Sequence, residues 1–589
     1  MNKIKRHLLV AAALLAGLLP SARAFGPLAN LVGEQAPLVV LVNDVPGLVE
    51  NWKEGPLART WNDGQVREFF APLHENLKTA EWDGMLKQQI GHSAKEILAF
   101  VRGGALIAIP SLEGWQERGR EEPPVLLVAE LGENTRKIEE LLTSKAYMEK
   151  AKITRLTEHY AGATLYIDEF GGGKNVKSVA WLISDGNLYC SPSRQLVAVA
   201  LDAARAGGVR DAFGKSERFL RMTERAGNNA HVLAAINFQA IYPVFDAYMK
   251  AQAANPENRA GMMIDLANLG STLGLDALGD IYGAVTLGKD SAESMSGLTY
   301  SAGRGLLKML AFGEGPLPKP AFLPADSLTT VVGKFKISDS FTALEEVVQA
   351  ALPMIFGYYQ NTLSSLNQQY GIDIKRDLVG SLGDDFYMIQ RAPAGETAVP
   401  GQLDQAVVIS LQDERLFAST LGKLITGSGA GESILAKREY LGATLYSTAG
   451  AGANAFGWAV ANGHLIIGFG ASVGTVESVL QGMAGKIDSF WDKASVASAL
   501  SEVPSDAFGF SYQDTAGLVS NFFDVLALLA KTKQPVPGMT GDDGKTPELV
   551  NPEAKPGIET LRKYWDYNFA YNQRDALGIY SRAKTVYKK

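Results

Sequence analysis

Tyr160-Ala-Gly-Ala-Thr-Leu-Tyr166 returns as Tyr440-Leu-Gly-Ala-Thr-Leu-Tyr446, 280 positions further along the chain. The same offset relates Leu86-Lys-Gln-Gln-Ile-Gly91 to Leu366-Asn-Gln-Gln-Tyr-Gly371. Two matches in one register mark a duplicated architecture, and 589 residues are enough to hold it. Read as a strand, the repeated stretch alternates. Tyr160, Gly162, Thr164 and Tyr166 fall on one face, with Ala161, Ala163, Leu165 and Ile167 on the other. The glycine between aromatics then predicts a covering aromatic or a close approach. Cross-strand aromatic packing is the simpler expectation, and a ligand-stacking surface is the alternative.

The segments around this stretch are duplicated too. Short apolar strands open the halves at Leu38–Val42 and Leu328–Val332. Helical sequence follows, interrupted by Pro72 in one half and Pro353 in the other, where proline should kink or split the helix. Strands are predicted at Ala105–Ile109 and Val125–Glu130, matched by Phe386–Gln390 and Ala406–Leu411. Helices are predicted at Thr135–Thr143 and Glu414–Ile425. Trp181-Leu-Ile-Ser-Asp-Gly-Asn-Leu188 parallels Trp458-Ala-Val-Ala-Asn-Gly-His-Leu465. Their Asp185-Gly186 and Asn462-Gly463 pairs predict two-residue hairpin turns with positive φ. Hairpins outnumber strand–helix–strand crossovers. The expected fold is therefore α+β: two tandem homologous domains, each a mainly antiparallel twisted sheet packed with helices. The Pro-rich stretch Gly313–Pro320 places the boundary at 318, giving domains 25–318 and 319–589, with a mobile loop at 531–557.

Residues 1–24 combine a basic start (Lys3, Lys5, Arg6), an apolar run from Leu8 to Leu19 and Ala22-Arg23-Ala24. This is the pattern of a signal peptide cleaved after Ala24, and it predicts export to the periplasm or cell exterior. Cleavage removes four basic residues from a chain with 56 basic and 63 acidic ones, so the mature protein is mildly acidic and has no electrostatic basis for binding nucleic acid. Cys190 is the sole cysteine, which rules out an intramolecular disulfide. No transmembrane anchor is expected after cleavage. The most apolar later segment, Thr515–Ala530, is broken by Asn521 and Asp524 and reads as a buried helix.

Motifs that suggest chemistry fail their own requirements. Gly470-Ala-Ser-Val-Gly474 matches a nucleophile elbow, but that arrangement needs a later histidine and His464 is the last one. Ser472 is expected to cap a helix instead, as is Ser193 in the other half. Gly171-Gly-Gly-Lys174 and Gly427-Ser-Gly-Ala-Gly431 lack phosphate-loop spacing and read as loops. His74, His92, His159, His231 and His464 show no metal-ligand spacing, and neither Asp384-Asp385 nor Asp542-Asp543 forms a calcium loop. Cys190 faces Ile467 in the repeat register and reads as a buried apolar thiol. Asp168, Glu169 and Asp202 are acidic without any distinguishing pattern. No catalytic residue, metal site or cofactor is assigned.

The apolar, proline-broken helix from Val347 to Tyr359 is the main candidate for binding. Helical spacing groups Val348, Leu352, Ile355 and Tyr359, with Phe69 and Phe70 in the shorter counterpart. Core packing is the simpler reading. An apolar groove for a lipid, a peptide or a partner helix is the functional one.

The opening Pro37-Leu-Val-Val strand, the Tyr-x-Gly-Ala-x-x-Tyr motif and the Trp-x-x-x-[Asp/Asn]-Gly hairpin together resemble a family of secreted bacterial proteins grouped under a domain of unknown function. That resemblance implies tandem α+β halves and brings no catalytic residues. The functional expectation is a noncatalytic envelope protein that binds or scaffolds an envelope protein or apolar ligand. The alternative is a periplasmic hydrolase with its site in one half.

Overall fold

The computed structural model describes residues 25–73, 75, 93–113, 123–170, 177–227, 229–255, 265–392, 402–427, 435–448, 455–532 and 548–588. Several sequence expectations lie outside these residues: the signal segment, Leu86–Gly91, His74, His92, Gly171–Lys174, Asp542-Asp543, nearly all of Gly427–Gly431, and the 533–547 part of the expected loop.

The chain is α+β and forms two compact units. The first holds residues 1–63, 71–245 and 278–299, and the second holds 64–70, 246–277 and 300–589. In the first unit the strands are β1 (Leu38–Val42), β2 (Ala105–Ile109), β3 (Leu126–Glu130), β4 (Ile153–Tyr160), β5 (Ala163–Phe170), β6 (Lys177–Ser184), β7 (Asn187–Ser191), β8 (Val232–Asn237), β9 (Leu278–Leu287) and β10 (Ser291–Tyr300). Their order across the sheet is β4-β5-β6-β7-β3-β2-β1-β8-β9, through antiparallel ladders, with β10 beside β9.

In the second unit the strands are β11 (Thr329–Lys334), β12 (Leu382–Arg391), β13 (Asp404–Leu411), β14 (Leu435–Tyr440), β15 (Ala443–Thr448), β16 (Ala455–Ala461), β17 (His464–Gly470), β18 (Gly509–Asp514), β19 (Trp565–Asp575) and β20 (Gly578–Tyr587). The order is β14-β15-β16-β17-β13-β12-β11-β18-β19-β20, again antiparallel. Substituting each strand for its counterpart reproduces the first sheet, so the repeat extends from sequence to topology.

Each sheet buries one face under a pair of helices. In the first unit Val197, Ala200 and Leu201 of helix Arg194–Ala206 join Phe219 and Met222 of helix Glu217–Ala226 over Leu106, Val128, Leu182 and Tyr189. In the second, Val476, Val479 and Leu480 of helix Gly474–Met483 join Val496 and Ala499 of helix Ala494–Leu500 over Tyr387, Val408 and Ile466. The helical residues recur every three or four positions and the strand residues every second one, so both periods aim apolar atoms at one layer.

The stretch that reveals the duplication is a hairpin rather than a strand. Tyr160 pairs with Ala163, and Tyr440 with Ala443. Between them, Ala161 and Gly162 take φ of 49° and 79°, and Leu441 and Gly442 take 52° and 82°. Positive φ at both positions is the type I′ turn that matches strand twist. The expected single strand is thus corrected. Gly162 does not accommodate a close neighbour, because a Cβ there would meet nothing within 4 Å. It supplies a backbone conformation that other residues adopt only at a cost. The Asp185-Gly186 and Asn462-Gly463 turns take the expected positive φ throughout, 52° and 82°, then 49° and 74°.

Candidate functional site

The proline-broken helix is the first candidate. Leu352 leaves helical geometry at φ −137° and ψ 57°, ending helix Ile337–Ala351 and capping helix Pro353–Tyr370. Proline thereby occupies the first turn, where its missing N–H leaves no hydrogen bond unmade. The buried stripe of the first helix runs through Ala343, Val347 and Ala351, one residue out of step with the expected Val348. Val348 and Leu352 are half-buried. No described residue of helix Pro353–Tyr370 is buried. Met354, Ile355 and Tyr358 are 55%, 42% and 71% exposed, and their spacing places them side by side on one helical face.

Tyr359, one turn beyond Ile355, is half-buried. Its hydroxyl donates to Glu345 Oε1 at 2.7 Å, and Lys375 Nζ approaches the same carboxylate at 2.7 Å. Desolvation, then the bond to Glu345, pushes the phenol up to about 12. Phe69 and Phe70 are buried in a cluster of their own, with ring centroids 5.2 and 5.4 Å from Phe523. The six sequence-predicted residues therefore fall in two neighbourhoods: Val348, Leu352, Ile355 and Tyr359 about the proline break, Phe69 and Phe70 against Phe523.

The elbow-like serine is committed elsewhere. Ser472 donates its hydroxyl hydrogen to Asp404 and accepts from the Gly474 N–H at 3.1 Å, while its own N–H donates to Asp404 Oδ1 at 3.0 Å. Asp404 is 2% exposed. The N-cap of that helix is Val473, so Ser472 serves the helix start from one residue further out. Ser193 departs from expectation. It stands at the N-cap in extended geometry but makes no side-chain cap bond, and its N–H donates instead to Ser191 Oγ at 3.1 Å. His464 holds Nδ1 2.7 Å from the Asn462 carbonyl. Among the described residues no group of three or more His, Cys, Asp or Glu is placed to hold a metal ion.

One polar cluster distinguishes the halves. Arg155 on β4 lies opposite Asp168 on β5, and Tyr166 on β5 lies opposite Trp181 on β6. Arg155 Nε and Nη2 donate to Asp168 Oδ1 and Oδ2 at 2.5 and 2.7 Å, and Trp181 Nε1 donates to Oδ2 at 2.8 Å. Tyr166 stacks on Trp181 at 4.2 Å, with the guanidinium 5.1 Å from each ring centroid. The Tyr166 hydroxyl donates to Glu139 Oε1 on the helix Thr135–Thr143 at 3.3 Å. Tyr147 is raised above the usual phenol range by burial first and Asp168 second.

Cys190 sits across from Trp181. It is only half-buried as a residue, yet burial and then Asp168 push its thiol up to about 12, which makes it an inert neighbour. Among the described residues the second unit keeps the aromatic part: Tyr446 stacks on Trp458 at 5.0 Å, with Lys437 Nζ 6.0 Å from the Tyr446 ring. At the 280-residue offset Leu435 stands for Arg155 and Thr448 for Asp168. Sequence reasoning missed this clamp because it took the hairpin turn for strand. A fold-back at Ala161-Gly162 places 155 opposite 168 by simple counting.

No family model matches this chain, and no curated protein matches it. Among solved structures, it is similar to three crystal forms of TP0453. Form I is 12% identical over 48% of this chain and 81% of that one, with a TM-score of 0.21. Form IV is 10% identical over 49% and 83%, with a TM-score of 0.23, and form III 12% identical over 48% and 82%, with 0.22. No helix among the described residues is long and apolar enough to cross a membrane, and this includes Thr515–Thr532.

Proposed function

We propose that this protein is an exported, noncatalytic envelope protein whose two related domains bind or scaffold a partner, with the apolar surface after Pro353 as a contact site. The observation that carries this reading is the exposure of Met354, Ile355 and Tyr358 together on a helix with no buried described residue. Amphipathic helices ordinarily turn such side chains into their own core, and clustered exposed apolar groups mark interaction sites. The fate of the polar groups supports the same reading. Asp168 is engaged by Arg155 and Trp181, Asp404 by Ser472, and Asp280 by Arg218 Nε at 2.9 and 3.0 Å. These carboxylates hold the fold together rather than converge on open space. The signal-like N-terminal segment supports export.

The test is a pull-down from envelope extract, combined with native mass spectrometry of the purified protein. Wild type should retain a partner or an added apolar mass, and a variant carrying Met354→Ser, Ile355→Ser and Tyr358→Ser should lose it while keeping the same circular dichroism. Retention of nothing by wild type, or equal retention by both, would overturn the proposal.

A further inference from the structure

A cavity of about 270 Å³ lies in the first unit, walled by the apolar side chains of Phe25, Leu28, Leu41 and Val42 and carrying Asn43 and Glu130 as its polar side chains. Among the described residues of the lining, Glu130 is the one ionisable side chain, and none is a lysine, arginine or histidine. Its carboxylate is fixed there: Oε2 accepts from the Gly104 N–H at 2.7 Å, and a Cβ on Gly103 would come within 2.0 Å of the same oxygen. Asn43 is held by donating Nδ2 to the Ala230 carbonyl at 2.8 Å. An anion held beside an apolar wall calls for a cation.

Phe25 supplies one if the chain is cut where its sequence directs. It is 7% exposed, belongs to the main core cluster and accepts at its carbonyl from the Ala29 N–H at 3.2 Å, so the first helical turn anchors it. Signal cleavage after Ala24 would convert its amide nitrogen into an α-ammonium on a residue that already lines the cavity. We infer that the processed N-terminus of Phe25 docks in this cavity and forms an ion pair with Glu130, so that removal of the leader completes the fold of the first unit. Hydrolysis of the Ala24–Phe25 bond by a peptidase is the only covalent step, with water giving a carboxylate to Ala24 and the new ammonium to Phe25. This inference rests on the reading of residues 1–24 as a cleaved signal.

Intact mass and N-terminal sequencing of the exported protein test that reading first. A start at Phe25 is expected, and another start overturns both the cleavage site and the docking. Glu130→Gln is then compared in the processed protein and in one carrying a two-residue extension before Phe25. Glu130→Gln should lower Tm by roughly 2–4 °C in the processed protein and leave the extended one unchanged. Equal losses in both, or none in either, overturn the docking alone. If Glu130→Gln does not fold, acylation of the wild-type α-amine decides. Protection relative to the urea-unfolded chain supports docking, and labelling at the unfolded rate overturns it.

Discussion

Arg155 and Asp168 face each other across the β4–β5 hairpin and are joined by two parallel hydrogen bonds, with side-chain exposures of 8% and 3%. Such a pair gains little over well-packed apolar residues, but loss of one member strands the other charge in a dry site. Asp168→Asn should therefore destabilise the first unit by about 3–5 kcal/mol. Arg155→Leu combined with Asp168→Leu should lose much less than the two single changes together. Urea unfolding of Asp168→Asn, of each single leucine variant and of the double leucine variant checks this, and additive losses would contradict the clamp.

The left-handed residues at the repeated hairpin give a stabilising prediction. Leu441 takes φ of 52° and is 41% exposed, so its side chain gains little burial while its backbone is strained. Leu441→Asn should raise stability by about 0.5–1 kcal/mol, because asparagine suits the first position of a type I′ turn. Gly442→Ala, at φ 82°, should act in the opposite direction by a similar amount. Thermal unfolding of both variants distinguishes this from a neutral loop.

His231 predicts an acid-side loss of stability. It is 5% exposed, its Nδ1 accepts from the Leu287 N–H at 2.9 Å, and burial lowers its pKa to about 4. The unfolded chain, with a pKa near 6.5, binds the proton more readily than the folded one. Stability is thus full above pH 6.5 and falls as the pH drops towards 4, by on the order of 2–3 kcal/mol. His231→Gln should flatten that part of the pH–stability curve, whatever it does to the plateau.

Local elements were legible where a single period governs them. Leu38–Val42, Ala105–Ile109 and helix Thr135–Thr143 occupy the residues their patterns predict, because apolar alternation and the helical repeat act over a few neighbours. The Asp-Gly and Asn-Gly turns were equally clear. The Ala161-Gly162 and Leu441-Gly442 turns were not, since alanine and leucine carry no turn signal of their own. Their left-handed backbone is tolerated because strand pairing on both sides holds it in place. Val347 rather than Val348 lies in the buried stripe because the helix before Pro353 has apolar side chains on more than one face.

The sequence by itself determined the duplication, the α+β class and the break at Pro353. Each of these follows from short-range patterns or from an internal match that needs no coordinates. Only the tertiary structure decided the strand order of each sheet, the burial of Asp404 against Ser472 and the gathering of Arg155, Asp168, Tyr166 and Trp181. Those depend on which strands lie side by side. That choice is made by burial of whole apolar faces, to which no single segment of the chain has access alone.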